Sequence, residues 1–205
     1  MRAYLITDQP DDEALLGQAI RLAGLRLRTT ENLQAVVRKW AEAPADLVVV
    51  AVREPPASVA VSNLRPVVDA PLVAVVERLN EAQHIQLLEA GADWVIERPY
   101  PLRLVTAYLR VWQRWRGDRL VTAHRQIVQH DIVLDSTTRT VRVPGKAPQR
   151  LSRLEHRLLH ALMRNPGHVM PPETIVEQVW GYTGEGDRSL VRGLINRLRT
   201  KIERD

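Results

Sequence analysis

Apolar and polar residues follow two rhythms along the first half of the chain. Short continuous apolar runs, AYLIT (3–7), DLVVVAV (46–52), PLVAVV (71–76) and WVIE (94–97), read as strands buried on both faces. Between and after them the spacing changes to three and four. EALLGQAIRLAG (13–24), EAQHIQLLEAGA (81–92), which ends at Gly91, and PLRLVTAYLRVWQRW (101–115), which follows a proline, read as helices. Strands apolar on both sides and separated by helices predict an α/β domain, a doubly wound parallel sheet. The functional crevice of such a domain lies at the carboxyl ends of its strands.

The pattern breaks at RGDRLVTAHRQ (116–126), a polar stretch that reads as a linker. After it, DIVLDSTTRTVRV (131–143) alternates in strand fashion around a Ser136-Thr137-Thr138 turn, predicting a small antiparallel sheet. Three helical segments follow, 152–167, 171–181 and 187–205. In the first, Ser152 and Glu155 have capping-box spacing and Gly167 supplies the stop. The predicted organisation is one domain over 1–116, a linker over 117–126 and an α+β domain over 127–205.

Charge sharpens this division. Of 29 Lys+Arg and 24 Asp+Glu, 14 of each fall within residues 1–116, leaving 15 and 10 for the rest together with the whole net charge of +5. A neutral domain joined to a basic one suits a protein in which only one part meets a polyanion. The absence of cysteine removes disulfides, thiolate metal sites and cysteine nucleophiles. No apolar run approaches the roughly 18 to 20 residues of a membrane span, so a cytoplasmic protein with no membrane partner is expected. Glycine-rich phosphate loops, dinucleotide fingerprints and nucleophile elbows are absent from the sequence, which predicts neither a cofactor nor an enzyme. His156 and His160 are four apart but have no third ligand in view, so no metal is assigned to them.

The last helical segment carries the most informative pattern. Leu190, Leu194, Leu198 and Ile202 recur every four residues, with Val191 and Ile195 widening the stripe. Arg188, Ser189, Arg192, Asn196, Arg199 and Lys201 fall largely outside it, and Arg197 lies at its border. One face packs while the other is basic. These residue types suit a major groove, where arginine pairs with guanine, asparagine pairs with adenine, and both grip phosphates. A merely solvated basic face is the alternative.

The order LSRLEHRLLHALMRNPGHVM, VEQVWG and DRSLVRGLINRLRTKIE resembles the winged helix-turn-helix effector domain of the OmpR/PhoB family of response regulators. The resemblance rests on the start at Leu151, the Asn165-Pro166-Gly167 break, the Val179-Trp180-Gly181 end and the Ile195-Asn196-Arg197-Leu198-Arg199 core. It implies binding to double-stranded promoter DNA through the basic helix, and contact with RNA polymerase through the second helix and the 181–187 loop. The chain departs from the family at His156, usually aromatic, at Leu190, often threonine, and at Val191-Arg192-Gly193-Leu194. The family's wing hairpin would follow beyond Asp205, so the sequence here carries the domain without its wing.

The first half is similar to the receiver domain of that family, with a flavodoxin-like fold. Receivers are phosphorylated on an aspartate at the end of the third strand and use a magnesium ion held by acids at the end of the first. The corresponding positions here are Ala51 for the phosphoacceptor, Thr7 and Asp8 for the acid pair, Val76 for the hydroxyl residue, Arg98 for the lysine and Val95 for the aromatic switch. The resemblance therefore implies a degenerate pocket that works without aspartyl phosphorylation. Asp11 and Asp12 are expected at a loop and a helix start rather than at a metal. The family dimerises through its fourth helix, fifth strand and fifth helix. Here His84, Trp94, Leu104, Tyr108, Val111 and Trp112 would line that face in a homodimer, with Trp115 nearby and with Leu104 and Val111 the members expected to be buried against the sheet. The expected function is a sequence-specific, phosphorylation-independent transcription regulator. The alternative is a protein-interaction or ligand-sensing module that binds no DNA tightly.

Overall fold

In a computed structural model, the described residues are 1–117, 126–181 and 188–203. The chain divides into two compact units, Met1–Val111 and Trp112–Asp205. In the first, five parallel strands, β1 (Arg2–Thr7), β2 (Arg26–Thr30), β3 (Leu47–Ala51), β4 (Leu72–Val76) and β5 (Trp94–Glu97), pair in the order β2-β1-β3-β4-β5. The helices are α1 (Pro10–Leu22), α2 (Leu33–Lys39), α3 (Ala57–Leu64), α4 (Glu81–Glu89) and α5 (Leu102–Gly117), which belongs to this unit as far as Val111. This strand order is that of the doubly wound sheet the apolar runs predict. Every residue of β3 and β4 is buried, because both faces of these central strands are covered.

Three elements escape the apolar pattern. The strand β2, RLRTT, lies at an edge with no fully buried residue, so nothing demands a continuous apolar run. The helix α2 is seven residues long, and α3, ASVAVSNL, is rich in valine, serine and asparagine. Weak helix formers hold there because Ala60, Val61 and Leu64 are buried. The first helix also begins earlier than predicted, at Pro10, which fits the initial turn because its missing N–H needs no partner there.

The second unit holds a four-stranded antiparallel sheet, β6 (Gln126–Gln129), β7 (Ile132–Asp135), β8 (Thr140–Arg142) and β9 (Gln149–Arg150), joined in sequence order. Three helices follow, α6 (Arg153–Arg164), α7 (Pro172–Trp180) and α8 (Arg188–Ile202). The Ser152–Glu155 capping box is formed, and Gly181 closes α7 in the left-handed region at φ 85°. Leu158, Val176, Val179 and Leu194 are completely buried in the core the three helices share. Each aliphatic side chain so buried contributes roughly 1.5 to 3 kcal/mol, which holds these short helices together where propensity alone would not.

Candidate functional site

At the carboxyl ends of the first unit's strands, the register sets Thr7 beside Ala51. Ala51 is fully buried and offers a methyl group, while the Thr7 hydroxyl donates to its carbonyl oxygen at 3.2 Å. Asp8 accepts from the backbone amides of Arg53 at 3.1 Å and Glu54 at 3.5 Å, and from the Gln9 side chain at 3.1 Å. Burial works to raise the pKa of this carboxyl, but the three donors outweigh it and hold the group below its ordinary value. Val76 is buried at the end of β4 and Val95 half-buried on β5.

The sequence reading places Asp12 at a helix start, where the structure has it, but does not name the partners that engage it. Asp12 is in the first turn of α1 and only 5% exposed. The Arg98 guanidinium donates to both its oxygens, through Nη2 and through Nε at 3.3 Å, and the Tyr100 hydroxyl donates to it at 2.6 Å. Arg98 also reaches the carbonyls of Val75 at 3.3 Å and Ala51 at 3.4 Å. Burial, and then the bond to Asp12, hold the Tyr100 phenol far above its usual range. A signal for this cluster was present. Asp12 lies on the stripe of Leu16, Ala19 and Ile20, and an acid on an apolar stripe needs a buried partner.

Magnesium, which the receiver resemblance implies, does not suit this donor set. Position 51 supplies no oxygen from its side chain, Asp8 is engaged by amides, and Asp12 is engaged by Arg98 and Tyr100. Among the described residues no group of three or more His, Cys, Asp or Glu side chains is disposed to hold a metal ion.

Beside the edge strand β5, Trp94 and Tyr108 meet edge to face with ring centroids 4.4 Å apart. Both are half-buried, as are His84 and Trp112. Leu104, expected to be buried, is 47% exposed, because it lies off the stripe of Val105 and Leu109 by which α5 packs. The side chains of Val111 and Trp115 lie outside the described residues.

In the second unit, α8 buries Leu190, Val191, Leu194 and Leu198 as its spacing predicts. Arg188, Arg192 and Arg199 are exposed, and Ser189 and Asn196 are half-buried. Arg199 is paired with Glu203 at 2.7 Å, one turn further along. The expectation that Arg197 and Lys201 stand on the open face is overturned. The Arg197 side chain is 10% exposed with its Nε 3.8 Å from Glu155, and Lys201 is 2.6 Å from the other oxygen of Glu155. The cause is the buried capping-box carboxylate at the start of α6. Burial works to raise its pKa, yet Lys201 above all, with the Ser152 amide and Arg197, holds it below the ordinary value. Lys201 also donates to the Arg150 carbonyl at 3.0 Å, and Lys146 donates to the carbonyl oxygens of Glu203 and, at 3.5 Å, Thr200. The last turn of α8 is thus held by groups from the sheet and from α6. The loop 182–187, expected to face RNA polymerase, lies outside the described residues.

His156 is buried on α6, its Nε2 without a hydrogen bond, with the His160 ring 6.0 Å away. Burial, then His160 and Arg139, lower it to about 4.

Residues 146–205 match the family model described as transcriptional regulatory protein, C terminal. The chain is 27% identical to the KDP operon transcriptional regulatory protein KdpE of Escherichia coli, across 98% of this chain and 89% of that protein. It is 29% identical to the sensory transduction protein RegX3 of Mycobacterium tuberculosis, across 100% and 92%. It is 28% identical to the transcriptional regulatory protein TrcR of Mycobacterium tuberculosis, across 100% and 80%. A solved structure of a RitR mutant matches with a TM-score of 0.77 at 20% identity, over 100% of this chain and 90% of that one, a likeness of fold.

Proposed function

We propose that the chain is a response regulator of the OmpR/PhoB type, a receiver-like fold ahead of a transcriptional-regulator effector domain, and that it is a sequence-specific regulator that binds double-stranded promoter DNA and acts without aspartyl phosphorylation. The observation that carries the DNA reading is α8. It buries Leu190, Leu194 and Leu198 while Arg188 and Arg192 stand exposed. These two, with Ser189, Asn196 and Arg199, are the groups that read or grip DNA, and Arg197 and Lys201 set the helix in place. Independence of phosphorylation rests on Ala51, whose methyl group cannot accept a phosphoryl group, and on the engagement of both neighbouring carboxylates.

The half-exposed Trp94 and Tyr108 and the exposed Leu104 beside the edge strand β5 support a homodimer on this face, and His84 extends it. Contact with RNA polymerase through α7 and the 181–187 loop rests on the family resemblance.

The test of the DNA reading is selection of binding sites from random duplexes, followed by shift assays at fixed salt. Arg192→Ala should weaken binding to the selected site by about tenfold or more, the equivalent of a lost base contact of roughly 1 to 3 kcal/mol. Equal affinity of the variant and the parent protein would remove α8 from the interface. A single monomeric species in sedimentation at high micromolar concentration would remove the dimer.

A further inference from the structure

The carboxyl-end crevice of the first unit holds a buried acid and a cation supplied by the chain itself. Asp12 and Arg98 are 7% and 15% exposed at their side chains, so the pair lies in a poorly screened environment. The geometry is a side-on fork, in which Nη2 bonds one carboxylate oxygen and Nε the other at 3.3 Å. The guanidinium's remaining donors reach the ends of two strands, Ala51 on β3 at 3.4 Å and Val75 on β4 at 3.3 Å, and Nη1 stands 3.7 Å from Glu77. Tyr100, two residues on, bonds the same carboxylate. One side chain thus joins the first turn of α1, the ends of β3 and β4, and the segment between β5 and α5.

We infer that the Arg98 guanidinium is the resident cation of this crevice, neutralising Asp12 and tethering α1 to the segment that leads into α5, so that the unit closes without a divalent ion. The inference deepens the phosphorylation-independent reading above and rests on it for the identity of the crevice. An acid-lined crevice needs a counter-charge to hold its strand ends together. A divalent ion would need about six oxygen ligands, whereas the carboxylates here already accept from amides, a phenol and a guanidinium. An arginine fork satisfies the same acid with directed hydrogen bonds and leaves no open coordination position. Arg98 and Tyr100 flank Pro99, so the tether acts on the backbone just ahead of α5. Restoring a carboxylate at position 51 alone leaves the crevice closed, since Asp12 remains engaged.

The test is differential scanning calorimetry of the full chain in millimolar MgCl2 and in KCl of equal ionic strength, on the parent protein, Ala51→Asp, Arg98→Met and Asp12→Asn/Arg98→Met. The transition midpoint of the parent and of Ala51→Asp should be the same in both salts. Arg98→Met, which leaves Asp12 buried and uncompensated, should lower the midpoint by about 5 °C or more and gain a magnesium-dependent rise that the parent lacks. The double variant, with both charges gone, should recover most of the loss and lose the magnesium response. Should Arg98→Met fail to fold, a folded double variant beside it is the same rescue. A saturable magnesium stabilisation of the parent protein would overturn the inference, as would a double variant no more stable than, or as unfoldable as, Arg98→Met. These results are independent of the shift assays: a parent chain that binds no duplex would sink the DNA reading and leave the melting results standing.

Discussion

Arg98 in the first unit and Arg192 in the second are the same residue type with opposite fates. The first is folded inward onto a buried carboxylate and two strand ends, and the second stands in solvent on α8. The second unit contains both fates on one helix, since Arg197 and Lys201 turn onto Glu155 while Arg188 and Arg192 do not. The deciding group is the acid. Wherever a carboxylate is buried within reach, the cation follows it, because an uncompensated buried charge costs far more than an exposed cation gains from water. A count of basic residues therefore overstates the surface available to a polyanion.

The comparison breaks most visibly at Glu155. Glu155→Ala removes the buried carboxylate that Arg197 and Lys201 share, and with it half of the capping box. The second unit should lose roughly 3 to 5 kcal/mol in urea unfolding. A loss below about 1 kcal/mol would mean that the two cations find solvent easily and that Glu155 does not hold α8.

A smaller effect follows from pH. His156 is held at about 4 in the folded protein against an ordinary 6.5, so below 6.5 the unfolded chain binds a proton that the folded one refuses. Stability attributable to this residue is complete above pH 6.5 and falls as pH drops towards 4, by about 3 kcal/mol across the window. His156→Leu should flatten that part of the pH–stability curve while the contribution of the carboxylates remains. An unchanged slope in the variant would place the acid sensitivity elsewhere.

The smallest effect belongs to Arg199, exposed and paired with Glu203. Arg199→Ala should alter unfolding by no more than about 0.5 kcal/mol, as exposed pairs do. It should reduce the salt dependence of duplex binding by about one counterion. The reverse outcome, a clear loss of stability with an unaltered salt slope, would move Arg199 from the open face to the inward group.

Much of the architecture was legible. The runs DLVVVAV and PLVAVV read as strands buried on both faces, and the recurrence of an aliphatic residue every four positions on α8 marked the side that packs. Ser152 and Glu155 announced the start of α6. What escaped was local weakness compensated by packing. The sequences of β2 and α3 carry no strong signal because an edge strand needs few apolar residues and a short helix on a sheet draws its stability from burial. Of the candidate site residues, the identities of Ala51, Val76 and Arg98 could be read directly. Their consequence, that Arg98 would take Asp12 as its partner, could not.

By itself the sequence determined which residue types occupy the crevice and the last helix, because identity is chemistry: a methyl group at position 51 has no nucleophilic oxygen in any fold. It also determined the faces of the regular elements, because the 3.6 and 2 residue periods are built into the backbone. Only the tertiary structure decided which charges meet. Asp12 and Arg98 are 86 residues apart, and Glu155 and Lys201 are 46 apart. Such pairs form only when packing removes water from between distant segments, and no local pattern encodes that distance.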